Sequence, residues 1–99
     1  MNDQLTELCV TYITSTECSV CHVLKPKLKN AVLDMYPKVL WKEILSNEAL
    51  EYTAQHRVFS VPTVLIMADG KEVTRFVRAF SVSEVIEAIE RPYKIMFEE

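Results

Sequence analysis

An α/β domain of order β-α-β-α-β-β-α, with a mixed four-stranded sheet and helices on both faces, is what this 99-residue sequence predicts. Three observations predict it. Apolar runs rich in β-branched residues alternate with stretches whose apolar residues recur every third or fourth position, so strands alternate with helices. Asp69-Gly70, set between two strand-like runs, is a two-residue hairpin signal that makes the last two strands antiparallel. Ser81-Val82-Ser83-Glu84 has the spacing of a capping box and opens a final helix.

The elements follow in order. A single helical turn is expected over residues 4–8. Leu8-Cys9-Val10-Thr11-Tyr12-Ile13-Thr14 is nearly continuous in apolarity, which suits an interior strand covered on both faces, with Cys9 a small core residue. After the loop Ser15-Thr16-Glu17 the period changes. Val20, Leu24, Leu28, Ala31, Val32 and Met35 fall on one face of a helix. Pro26 lies inside that helix and is expected to kink it, and Pro37 ends it. Lys25, Lys27 and Lys29 read as a solvated face. A second strand is expected over 39–45, then a short helix capped by Ser46 or Asn47 and running to about residue 56. Val64-Leu65-Ile66-Met67 is the third strand and Lys71–Val77 the fourth. Val82, Val85, Ile86 and Ile89 mark the buried face of the last helix, which Pro92 is expected to stop. Tyr93, Ile95, Met96 and Phe97 make the tail at 93–99 too apolar to stay unpacked.

The length suits one domain spanning 1–99, with a core over about 8–91. Hydrophobic residues at 49% and charged residues at 25% are ordinary for a globular chain. A net charge of −3 offers no basic excess for binding nucleic acid. No apolar run approaches a membrane span. Met1-Asn2-Asp3-Gln4 lacks the basic and apolar regions of a signal peptide, so a cytoplasmic setting is expected. In a reducing compartment, close cysteines serve catalysis or metal binding more often than they staple a fold.

Two of the three cysteines, Cys18 and Cys21, stand two residues apart where a strand gives way to a helix. A helix N-terminus carries unpaired N–H groups and partial positive charge, and both favour a thiolate over a thiol. The thiolate is the reactive form, so this placement reads as a redox centre. Cys18, at the loop boundary, suits the attacking thiol. Cys21, one turn further and facing inward, suits the resolving one. Two other chemistries share the pattern. Zinc wants four ligands, and Cys18, Cys21 and His22 offer three at most, so no metal site is expected. Cys18-x-x-Cys21-His22 also fits c-type haem attachment, which calls for an exposed segment, a porphyrin-enclosing site and export. The sheet-rich surroundings favour redox chemistry without a cofactor.

With these residues in hand, the chain resembles the thioredoxin-fold family, in particular small thioredoxin-like disulfide oxidoreductases. The resemblance spans about residues 10–90 and rests on Cys18-Ser19-Val20-Cys21, on Pro26 five residues later and on Val61-Pro62-Thr63 before a strand. It implies thiol–disulfide exchange on protein disulfides, an electron donor such as a reductase, and a cis bond at Val61–Pro62. It also implies a substrate groove that takes in Glu17, Val61, Pro62, Thr63 and Arg78. Four departures stand out. Glu17 replaces a tryptophan, and Ser19-Val20 replaces Gly-Pro. Tyr12 occupies the place of a buried aspartate, and Arg78 falls near a glycine of the groove. The Gly-Gly glutathione site of many glutaredoxins has no counterpart, since Gly70 is the only glycine.

Overall fold

The computed structural model describes residues 7–98. Four strands form one sheet: β1 (Leu8–Thr14), β2 (Leu40–Leu45), β3 (Thr63–Ala68) and β4 (Lys71–Val77), in the order β2-β1-β3-β4. β1 runs parallel to β2 and antiparallel to β3, and β3 is antiparallel to β4, so the sheet is mixed. The helices are α1 (Ser19–Met35), α2 (Leu50–Gln55) and α3 (Val82–Tyr93). The expected order is therefore the observed one. The helical turn expected over 4–8 falls largely outside the described residues, and Leu8 itself begins β1.

Period-two alternation divides the core. Leu8, Val10 and Tyr12 of β1, with Val64 and Ile66 of β3, face α1 and α3 and pack on Cys21, Leu28, Val32, Val85 and Ile89. Ile13 and Leu65 point the other way, onto Val58 and the α2 side chain Tyr52. Helices therefore cover both faces, but unequally. α2 has only six residues, about 9 Å of helix, and covers one end of its face. An open groove of about 580 Å³ remains beside it, lined by Cys9, Thr11, Leu40, Tyr52, His56 and Met67 among others. Cys9 is thus a half-buried groove residue with its Sγ 3.6 Å from Thr11 Oγ1, and not the core residue its strand position suggested.

Local chemistry accounts for most boundaries. Asp69 and Gly70 both adopt positive φ, 52° and 83°, as a type I′ hairpin requires. The Asp69 carboxylate accepts from Glu7 N–H while Asp69 N–H donates to Glu7 O, tying the turn to the start of β1. The Ser81–Glu84 capping box is formed reciprocally. α2 departs from expectation. Residues Ser46–Glu48 form a 3₁₀ turn, and the helix begins at Leu50 with no side-chain cap from Ser46 or Asn47. Its C-terminus closes in a Schellman pattern, with Val58 N–H on Thr53 O and Arg57 N–H on Ala54 O, and Arg57 takes the left-handed position at φ 56°.

The face of α1 is narrower than its periodicity implied: Val20 and Met35 are exposed, and Cys21, Leu28 and Val32 form the buried line. The helix continues through Pro26. α3 likewise runs past Pro92 to Tyr93 and on into a π-helical turn, Lys94–Glu98. Proline forfeits one hydrogen bond there, and burial of the next residue holds the helix on course. Tyr93 packs its ring on Tyr36 and Phe97, and its hydroxyl accepts from Lys38 N–H. The tail packs as expected through Tyr93, Met96 and Phe97, while Ile95 stays exposed.

Candidate functional site

The register brings the sequence-predicted residues to one end of the sheet. Thr63 pairs with Ile13 on one side and Val77 on the other. Pro62, one residue earlier, therefore lies at the end of β1 that feeds the Cys18 loop and at the end of β4 that feeds Arg78. Arg78 N–H donates to Pro62 O at 2.8 Å. The Val61–Pro62 bond is cis, as the resemblance implied.

Cys18 is the N-cap of α1, with extended backbone, and its Sγ accepts from Cys21 N–H at 3.1 Å. The sulfur thus meets one of the unpaired N–H groups that open a helix. Cys18 and Cys21 are joined in a disulfide, with Cα atoms 5.2 Å apart. The pair is asymmetric: Cys18 is half-buried, whereas Cys21 is 1% exposed and belongs to the core. Glu17 is exposed immediately before Cys18.

Two large apolar side chains are exposed in the segments that carry the motif and precede Val61. Val20 of the motif is 61% exposed, and Phe59 in the loop before Val61 is 86% exposed. A groove of about 320 Å³ runs between Ser15, Ser46, Leu50, Phe59, Ser60 and Val61. Val61 is half-buried, and its N–H and C=O make no hydrogen bond among the described residues. Thr63 is different: it is buried, and its hydroxyl donates to Ser60 O at 2.8 Å, so its side chain braces the loop from within. Phe59 and Leu50 were not singled out in the sequence. Val58 and Phe59 stand side by side in the loop 57–60, and nothing in the sequence tells the buried one from the exposed one.

Beneath Cys21 lies a second opening of about 300 Å³, lined by Thr14, Cys21, His22, Lys25, Glu43 and Leu45. Tyr12, in the place of the family's aspartate, donates its hydroxyl to Cys21 O at 2.8 Å and stacks on Trp41. Trp41 Nε1 donates to Glu43 at 2.9 Å and Lys25 Nζ donates to the other carboxylate oxygen at 3.3 Å. Lys29 approaches Glu43 as well. Lys25 and Lys29 therefore serve Glu43 and are not simply a solvated face. The Trp41 hydrogen bond, then Lys25, hold the Glu43 carboxyl below its ordinary range against partial burial.

Burial, with the Glu43 charge adding to it, pushes the Tyr12 phenol up to about 12. An unfolded tyrosine ionises near 10, so above that pH the unfolded chain binds fewer protons than the folded one. The neutral phenol's contribution is therefore fully present below about pH 10 and is lost as pH rises towards about 12, on the order of 2–3 kcal/mol in all. Urea denaturation of wild type and Tyr12→Phe checks this. The stability of Tyr12→Phe should fall less steeply across that window, and parallel curves would remove Tyr12 from the alkaline transition.

Known proteins match this arrangement. The sequence pattern of the thioredoxin family, described simply as thioredoxin, matches residues 2–91. The thioredoxin-like protein YdfQ of Bacillus subtilis is 31% identical over 84 residues, spanning 85% of this chain and 74% of that protein. Among solved structures, thioredoxin 1 of Thermosipho africanus superposes with a TM-score of 0.79 at 38% identity, covering 88% of this chain and 96% of that one. Thioredoxin NaTrxh of Nicotiana alata gives 0.79 at 31% identity, covering 89% and 75% respectively. A match from residue 2 to residue 91 takes in the four described strands and the disulfide site, and on that ground the chain belongs to the thioredoxin family.

Proposed function

We propose that this chain is a protein-disulfide oxidoreductase that works through Cys18-Ser19-Val20-Cys21. The observation that carries the reading is the asymmetry of the disulfide: one sulfur half-buried at a helix N-terminus, its partner buried. In the reduced protein the Cys18 thiolate attacks one sulfur of a substrate disulfide, and the other sulfur leaves as a thiolate. The mixed disulfide is then opened by Cys21. Its thiol releases a proton towards the opening lined by His22, Lys25 and Glu43, and the resulting thiolate attacks Cys18 Sγ. The Cys18–Cys21 bond forms and the second substrate thiolate departs. Two electrons pass from the dithiol to the substrate, and a dithiol electron donor such as a reductase restores them. The same steps run backwards against a partner of lower potential.

Substrate binding belongs to the rim. The unpaired Val61 N–H and C=O suit an extended segment added alongside them, with Pro62 fixing the loop. Phe59, Val20 and Leu50 offer apolar contact. Glu17 and Arg78 place opposite charges on this rim. The cytoplasm, a reducing compartment, is the setting this reading assumes. Insulin reduction driven by dithiothreitol tests the activity. Turnover well above background, lost in Cys18→Ser, is expected. Background-level turnover would instead favour a module that binds partners at the groove without exchanging electrons.

A further inference from the structure

We infer that Arg78 is a specificity-determining residue that selects protein disulfides whose cysteine is flanked by acidic side chains. The inference rests on the proposed reading of the site as one for protein disulfides and adds the charge of the preferred segment. Three observations carry it. First, Arg78 lies directly beside the segment that would receive the substrate: its N–H bonds Pro62 O, one residue from the unpaired amide and carbonyl of Val61. Second, its guanidinium is exposed and has no hydrogen-bond or ion-pair partner among the described residues. Arg75, three residues earlier on β4, is by contrast engaged with Glu72 and the carbonyls of His56 and Arg57. Third, the turn that leaves β4 holds Arg78 at φ 62°, with Ala79 N–H closing back on Val77 O. Glycine adopts that conformation more readily than arginine does, and the turn fixes the backbone of Arg78 beside Pro62.

An exposed, unpaired guanidinium offers a carboxylate two parallel donors. Because the rim is solvated, the contact discriminates modestly and depends on salt. Glu17, exposed beside Cys18, is the opposing charge on the same rim.

The test is fluorescence anisotropy with two labelled extended peptides, each carrying alanine in place of cysteine. One has glutamates flanking that position and the other glutamines. Wild type should bind the glutamate peptide about fivefold tighter at low ionic strength. The preference should fall to about one near 1 M salt, where the screening length is about 3 Å. Arg78→Gln should abolish the preference at low salt and Arg78→Lys should keep most of it, with circular dichroism reporting the fold of both. Equal binding of the two peptides by wild type, no binding of either, or a preference that survives in Arg78→Gln overturns the inference. Because these peptides cannot exchange electrons, the result is independent of turnover. Insulin reduction with no charge preference sinks the role of Arg78 alone, whereas a charge preference without insulin reduction sinks the oxidoreductase reading and, with it, the claim that the selected segment carries a disulfide.

Discussion

Cys21→Ser is expected to accumulate a stable mixed disulfide with an offered protein disulfide, and Cys18→Ser is expected to accumulate none. Cys18 is the N-cap residue, partly open to solvent, with a helix N–H directed at its sulfur. That placement favours its thiolate and leaves it reachable. Cys21 is 1% exposed and sits among the side chains of the core, where burial disfavours a thiolate and keeps a protein substrate away. Attack therefore begins at Cys18, and Cys21 acts only once Cys18 Sγ is bonded to a substrate sulfur, which then leaves as a thiolate. Removing Cys21 leaves the first step and blocks the second. Removing Cys18 should lower turnover by about three orders of magnitude or more, as loss of an enzymatic nucleophile does. Non-reducing electrophoresis and mass spectrometry of the adduct read the outcome. Trapping by Cys18→Ser and not by Cys21→Ser would reverse the roles.

Tyr93→Ala should cost about 3–5 kcal/mol of stability, the range for truncating a buried aromatic side chain. Tyr93 is 6% exposed, follows a proline and stands at the junction of α3 with the last turn. Its ring lies 4.8 Å from that of Tyr36 and 5.0 Å from that of Phe97, so it bridges the end of α1 to the tail. Its loss empties that space and leaves Lys38 N–H without its acceptor. Ile95→Ala, two residues on, is the control: Ile95 is 70% exposed, and a change within about 0.5 kcal/mol is expected. Urea denaturation of the two variants checks both values. A cost below about 1 kcal/mol for Tyr93→Ala would mean that the tail does not complete the core.

What could be read from the residues alone was what is decided locally. β4 was legible from its start at the Asp69-Gly70 turn to Val77, and the cap of α3 from Ser81 and Glu84, because turn and cap chemistry act within a few residues. The position of Cys18 at the helix start followed from the change of period at that point. What was not legible depends on the distant packing of side chains. Pro92 reads as a stop, yet Tyr93 finds Tyr36, 57 positions away, and the helix continues. Lys25 and Lys29 look like a solvated face until β2 brings Glu43 beneath them. Cys9 looks interior until α2 proves too short to cover it. Thr63 stands in the motif next to Pro62 but spends its hydroxyl on Ser60 O. Phe59 carries no periodic signal, and only the fold shows it on the rim.

The central claim is that Cys18 and Cys21 exchange two electrons as a pair. Its most direct test is equilibration of the intact protein across glutathione buffers of graded potential, followed by acid quench, alkylation and peptide mass spectrometry. The account predicts a single two-electron transition in which one intramolecular bond, Cys18–Cys21, forms and is fully reversed on reduction. Cysteines that remain singly alkylated across the whole series, or that carry only bound glutathione, would contradict it.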